Sequence, residues 1–303
     1  MSTPASLDVI RSRPSFRLGW RAGVPRARAK TRALHVGVGI LAAIVIASIV
    51  VPMLTSNNGN AFVGAPFAAP SWSNLLGTDD FGRDVLTRTF LAARLDLMVA
   101  VIGVAVPLLS GTALGILAGS SRRRWVDAVF MRIVDAIVAF PFLILVLVLV
   151  VLFGTTNSFG PFPAGIPSLF LAIFATSWAL YARLARGQTL ELVKREFVTA
   201  ARLMGVSRWR IVWRHLLPLV LRTTATYAVG DAIGVIIVTA SLPFLGAGVQ
   251  PPSPEWGAMM YEGRAVLEYA PWITFAPAAL LAMTGISISI IADALIGEER
   301  GVR

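Results

Sequence analysis

The chain has 303 residues, 56% of them hydrophobic and only 14% charged, with a formal net charge of +11. Apolar content at that level needs either a very large core or a bilayer, and stretches such as Ala136–Ala182, which hold no charge, are long enough for two crossings of roughly 20 residues each. No cysteine is present and the two histidines, His35 and His215, lie in or beside basic stretches, so disulfides, thiolate chemistry and a conventional catalytic or metal centre are not expected.

Taken in order, residues 1–33 carry eight Lys/Arg without an apolar period and predict a mostly disordered basic tail. Residues 34–55 form the first span, too long for a signal-peptide core and therefore read as an uncleaved helix. Residues 56–94, rich in Gly, Pro, Asn and Ser, predict an external loop ending in a short helix. Within it, Gly77-Thr78-Asp79-Asp80-Phe81-Gly82-Arg83-Asp84 lacks the oxygen spacing of an EF-hand, so calcium is not expected. Thr78 or Asp79 is expected to cap the helix, with Arg83 paired to a carboxylate. The second span covers about 95–119 and ends at Arg122-Arg123-Arg124. The third, about 133–153, carries Phe140-Pro141, which allows a kink. Residues 154–165 make a turn, and the fourth span runs over about 166–183.

Residues 190–218 interrupt the apolar runs with charge. At helical spacing Val193, Phe197, Ala200, Ala201 and Met204 share one face, Gly205 can stop that helix, and a second short helix carries Val212, Leu216 and Leu219 up to Pro218. The result is a helix–turn–helix with an apolar ridge and basic flanks, suited to docking into a partner's groove or to lying on lipid headgroups.

The fifth span, about 224–247, contains Asp231, either a gate or proton relay or an interior paired carboxylate. Pro243 is expected to bend its outer end. An external loop follows over 248–271, stiffened by prolines, with Trp256, Tyr261, Tyr269 and Trp272 set as an interfacial aromatic belt. The sixth span, about 272–296, closes a core of 95–297 before a tail of 298–303. Of the 27 Lys/Arg, 23 fall in segments assigned to the cytoplasm and 4 outside, which predicts six spans with both termini inside.

Four strings resemble one family. Ala200-Ala201, Gly205 and Leu217-Pro218 resemble the EAA loop of bacterial ABC importer permeases, with Thr199 where glutamate is usual and His215 where isoleucine is common. The segment from Gly77 to Asp84 is similar to the GTDxxGRD segment of the C-type subunit of dipeptide and oligopeptide permeases. Met131-Arg132-Ile133 with Asp135 and Phe140-Pro141 resembles its MRIxD…FP pattern. Gln250-Pro251-Pro252, Pro254 and Trp256-Gly257-Ala258-Met259 resemble its QPPxPxWGAM pattern, while Pro243 departs from the family's ASLSFLG.

The resemblance covers about residues 75–297. It implies an all-α polytopic membrane protein with six transmembrane helices and a cytoplasmic coupling helix–turn–helix between spans 4 and 5. It also implies a bacterial inner-membrane location, a sister permease in a heterodimer, two ABC ATPase subunits or domains and a substrate-binding protein. Thr199, Ala200, Ala201, Gly205, Leu217 and Pro218 would couple to the ATPases. Gly77, Thr78, Asp79, Gly82, Arg83, Asp84, Gln250, Pro251, Pro252, Trp256 and Gly257 would shape the side that meets the binding protein. No GxxxxGK[ST] loop is present, so this chain is expected to bind no cofactor, ATP and Mg belonging to the ATPases, and no nucleic acid. The alternative is a proton-coupled secondary transporter using Asp231 or Asp135.

Overall fold

The computed structural model describes residues 25–55, 59–121, 123–160 and 162–301, and among them the only regular elements are helices. Most of the basic tail lies outside the described residues, but its last part is helical: α1 runs from Pro25 to Leu54.

The short helix expected before the second span does not exist as a separate element. Nothing between Val85 and Pro107 breaks a helix, and Asp84, rather than Thr78 or Asp79, caps it, its carboxylate accepting from Thr87 N–H. The outcome is α2, Val85–Ser120, one helix of 36 residues. At about 1.5 Å per residue it exceeds the roughly 30 Å hydrocarbon layer, so one end stands clear of it.

The third span is broken rather than kinked. α3 (Arg124–Val138) and α4 (Phe142–Phe153) meet at 90°. Pro141 has no N–H to donate and its ring disfavours helical geometry at the residue before it, so the ladder stops at Phe140. With 12 residues, α4 is too short to cross alone. Five helices are long and apolar enough to span, or six spans if the bent pair serves as one.

The other long helices are α5 (Ile166–Leu192), α8 (Leu217–Ser241) and α10 (Trp272–Gly301). Their contacts place α2 at the centre. It packs most extensively on α5 and also meets α1 and α8, while α1 lies along α10. The α2–α5 seam is built from Gly111, Gly115 and Gly119, one every fourth residue. A Cβ at Gly111 would run into Trp178 O, one at Gly115 into Ala182 O, and one at Gly119 would lie 2.9 Å from Thr189 Cβ. Lipid supplies no hydrophobic drive between helices, so small residues that let backbones approach carry the association.

The two largest apolar clusters lie one around Val99, Ile173, Tyr181 and Val235, the other around Ala93, Ile236, Ile273 and Ile288. Several threonines inside the spans find partners: Thr112 Oγ1–H donates to Thr224 Oγ1 at 3.1 Å, and Thr176 and Thr239 donate to carbonyls one turn back.

Candidate functional site

One end of the bundle carries the basic residues and a protruding helical hairpin. After α5 the chain turns at Val193–Arg195 and forms α6, Glu196–Leu203. Gly205 ends it in the left-handed region at φ +76°, with Val206 N–H donating to Ala201 O and Gly205 N–H to Arg202 O, each at 3.0 Å. That is the paired closure of a Schellman motif, and Val206 packs against the buried face of α6 as such a motif requires. Ser207 then caps α7 (Arg208–Ile211), its Oγ accepting from Arg210 N–H.

The second half of the hairpin does not stop at Pro218. α7 passes through a π turn, Val212–Leu216, in which Leu217 N–H donates to Val212 O, and continues directly as α8. Pro218 explains the turn: it removes one helical donor, and the wider spacing absorbs the ring without breaking the helix. One near-continuous helical rod therefore runs from Arg208 to Leu245.

The apolar ridge is partly where the sequence puts it. Phe197, Thr199, Ala200 and Gly205 are exposed, and Leu203 and Met204 are 85% and 75% exposed. Ala201 turns inward with Val198 against Ile211 and Leu216, which fastens α6 to α7. Leu217 is half-buried and Pro218 exposed. Leu203, the most exposed apolar residue of the hairpin, escapes a strict 3.6-residue reading because it lies next to the ridge rather than on it.

At the opposite end, the two motif loops fold onto one another. Asp79 accepts from Phe81 and Arg83 N–H through Oδ1, and its Oδ2 meets Arg83 Nε at 2.6 Å and Arg88 Nε at 3.3 Å. The carboxylate pairing expected for Arg83 is thus with Asp79. Arg88 reaches further, donating to Gly59 O, Asn60 Oδ1 and Pro252 O. Trp272 Nε1–H donates to Thr78 O at 3.1 Å, and Arg83 lies 4.0 Å from Glu262. Burial pushes the Glu262 carboxyl up.

Gly77, Thr78, Asp79, Gly82, Arg83, Asp84, Trp256 and Gly257 are all buried; Gln250 is half-buried, and Pro251 and Pro252 are exposed. Most of these residues therefore brace the loops, leaving Asp80, Phe81 and the proline pair at the surface.

Trp256 is not part of an interfacial belt. It is fully buried, its indole N–H donating to Thr89 O and its backbone N–H to Asp96 Oδ2, each at 3.0 Å. It opens α9, Trp256–Gly263, which Glu255 caps by accepting from Gly257 and Ala258 N–H at 2.7 Å. Gly257 lets α9 touch α8, since any Cβ there would strike the Ala240 backbone.

Asp96 and Glu255 are both buried, and Asp96 accepts the Trp256 N–H at the start of the helix that Glu255 caps. Burial raises Glu255 from its usual 4.5 to about 7, against the lowering pull of the N–H groups of Gly257 and Ala258. The native state then holds a proton the unfolded chain releases, so stability is present below about pH 4.5 and lost as pH rises through about 7. The melting temperature in detergent is expected to fall over that window. Glu255→Gln, which cannot titrate, is expected to flatten the slope; an unchanged slope would remove Glu255 as its cause.

Asp231 sits in α8 with its Oδ2 accepting from Tyr181 O–H at 2.8 Å, and Tyr227 packs edge-on against Tyr181. Its partner is thus a tyrosine of α5. Asp135 pairs with Arg183 at 2.6 Å in an exposed position, and Asp127 with Arg186, both tying α3 to α5.

Sequence reasoning gave no role to Arg88, Asp96 and Glu255. A signal existed: Arg88 and Asp96 stand on a helix that is otherwise almost entirely apolar, and charges there need partners.

The fold and its two ends define a multi-pass helical membrane protein with a hairpin projecting at one end and interlocked loops at the other. The family model described as binding-protein-dependent transport system inner membrane component matches residues 111–297. The glutathione transport system permease protein GsiD of Pectobacterium atrosepticum is 34% identical over 96% of this chain and 93% of its own length. The oligopeptide transport system permease protein OppC of Haemophilus influenzae is 38% identical over 75% of this chain and 71% of its own. The dipeptide transport system permease protein DppC of Alkalihalophilus pseudofirmus is 33% identical over 91% and 88%. The chain belongs to the binding-protein-dependent transport system inner membrane component family, as a permease subunit of the ABC-transporter type, and is a transporter component rather than an enzyme.

Proposed function

We propose that this chain is one of two transmembrane subunits of an ATP-driven importer. With a sister permease it encloses the path for di- or oligopeptides, or for a related small solute such as glutathione, delivered by an extracytoplasmic binding protein. The observation that carries the reading is the hairpin. Phe197, Leu203 and Met204 stand exposed on a short helix locked in place by Gly205, an apolar knob outside the bundle that fits a groove on an ATPase. The relatives named for dipeptide, oligopeptide and glutathione transport support the solute class.

In this reading α3 and α4 together make the third span and bring the total to six, both termini are cytoplasmic, and the hairpin lies on that side, where the positive charge concentrates. Thr199, Ala200, Ala201, Gly205, Leu217 and Pro218 form the coupling element. ATP and Mg are held by the two partner ATPases. The rod from Arg208 to Leu245 then gives the ATPases a handle: movement of the hairpin displaces α8, whose outer end bears on α9 at Gly257. Residues 77–84 and 250–257 brace the outer side that meets the binding protein. Loaded binding protein and ATPases bias the same two-state bundle from opposite ends. Asp231, held by Tyr181, links α8 to α5 within this bundle and is the residue to examine for a gate.

Purification of the tagged chain in mild detergent, with mass spectrometry of what remains bound, tests the proposal. The expected result is a second polytopic permease together with ATPase chains bearing Walker motifs. A homogeneous chain that moves solute in vesicles without an ATPase, driven by a proton gradient, would overturn it in favour of a carrier.

A further inference from the structure

The hairpin end also holds a cavity of about 520 Å³, open between the last turn of α2, the residues after it, α6 and α7. Arg123, Arg202 and Arg208 line it, and among the described residues no carboxylate does. Arg208 donates to Ser120 O at 2.8 Å, and among the described residues none of the three arginines enters an ion pair. The floor is apolar, formed by Leu117, Ile211 and Leu216. Trp209 stands in the wall, 62% exposed, and Trp213 and Trp125 close by in the chain are 61% and 64% exposed.

Three positive charges without counter-ions, set over an apolar floor where a spanning helix ends, match one kind of ligand: a phosphate diester carrying hydrocarbon. A basic pocket between helices at a membrane face recognises a lipid headgroup by charge, and indole rings favour the same depth. We propose that this cavity binds the headgroup of an anionic phospholipid, its phosphate held by Arg123, Arg202 and Arg208 and its glycerol and upper methylenes resting on Leu117 and Ile211. Soluble phosphate would leave that floor wet, and a carboxylate on a protein surface would satisfy the charges without filling it. Because Arg123 follows α2 while Arg202 and Arg208 belong to the hairpin, one headgroup bridges the two and clamps the hairpin to the bundle.

The test uses the full chain, purified with whatever subunits accompany it, reconstituted in phosphatidylcholine with and without phosphatidylglycerol, and native mass spectrometry of retained lipid. Wild type is expected to retain phosphatidylglycerol in preference to phosphatidylcholine. The triple variant Arg123→Gln, Arg202→Gln, Arg208→Gln is expected to bind it roughly 100-fold more weakly, at about fivefold per arginine. The corresponding Arg→Lys variant, which keeps the charge, is expected to retain most of the preference. Equal retention of the two lipids by wild type, a comparison that needs no variant to fold, overturns the proposal. Displacement of the lipid by millimolar inorganic phosphate assigns the pocket to a soluble anion and overturns it also. Loss of the preference only when ATPase chains are bound assigns the arginines to that protein interface and likewise overturns the lipid site.

Discussion

Gly205→Val is expected to reduce solute uptake by roughly tenfold while the protein still inserts and accumulates normally. The glycine sits at φ +76°, and no atom lies within 4 Å of where a Cβ would be. The penalty is therefore one of backbone conformation, not of space. Left-handed geometry costs an ordinary residue about 1–2 kcal/mol, and a β-branched one more. Relief comes by unwinding the closure in which Val206 and Gly205 donate to Ala201 and Arg202, which frees Leu203 and Met204 from their fixed place on the hairpin. Gly205→Asn separates the two explanations, because asparagine tolerates the left-handed region as valine does not. Uptake and stimulated ATP hydrolysis in vesicles are expected to survive in Gly205→Asn and fail in Gly205→Val. Equal loss in both would mean that a side chain is excluded by a partner. Normal uptake in Gly205→Val would remove the hairpin from the coupling role.

The features legible in the sequence were those written in local chemistry. Hydropathy runs located the long helices, Gly205 marked the end of α6, and Arg83 was matched to a carboxylate in its own loop. What escaped depended on partners distant in the chain. The sequence around Pro141 allows a gentle kink or a right angle; the neighbours of α3 and α4 decide, through Arg183–Asp135 and Arg186–Asp127, which pin α3 to α5. Trp256 reads as an interfacial aromatic until Thr89 and Asp96, some 160 residues earlier, are seen to receive its two N–H groups. Pro218 reads as a stop because a proline removes a donor, yet a π turn absorbs the loss without ending the helix. The resemblance assigns the GTDxxGRD-like and QPPxPxWGAM-like strings to the side that meets the binding protein. Most of their side chains turn inward, Asp79 holding Arg83 and Arg88, and Arg88 holding the carbonyl of Pro252, so these residues also lock the two loops together.

The same distinction between local and distant causes makes the α2–α5 seam the most fragile part of the membrane core. Gly115→Val is expected to abolish folded protein, and Gly115→Ala to lower its melting temperature clearly. A Cβ at Gly115 meets the backbone oxygen of Ala182 and lies 2.8 Å from Ala185 Cβ, so no rotamer change relieves it. Overpacking usually costs about 1–3 kcal/mol when side chains can adjust. Here whole helices must separate, and with them the seam that Gly111 and Gly119 extend in each direction. Helix propensity argues the opposite way, since glycine to alanine in a helix interior is favourable by about 0.8–1 kcal/mol. Gly285 in α10, also helical and with nothing within 4 Å of where a methyl group would sit, isolates that contribution. Gly285→Ala is therefore expected to leave the melting temperature unchanged or raise it slightly. Fluorescence-detected size exclusion after a heating series would read both variants at once. If Gly115→Ala behaved like Gly285→Ala, close approach of α2 and α5 would not be what holds the core together.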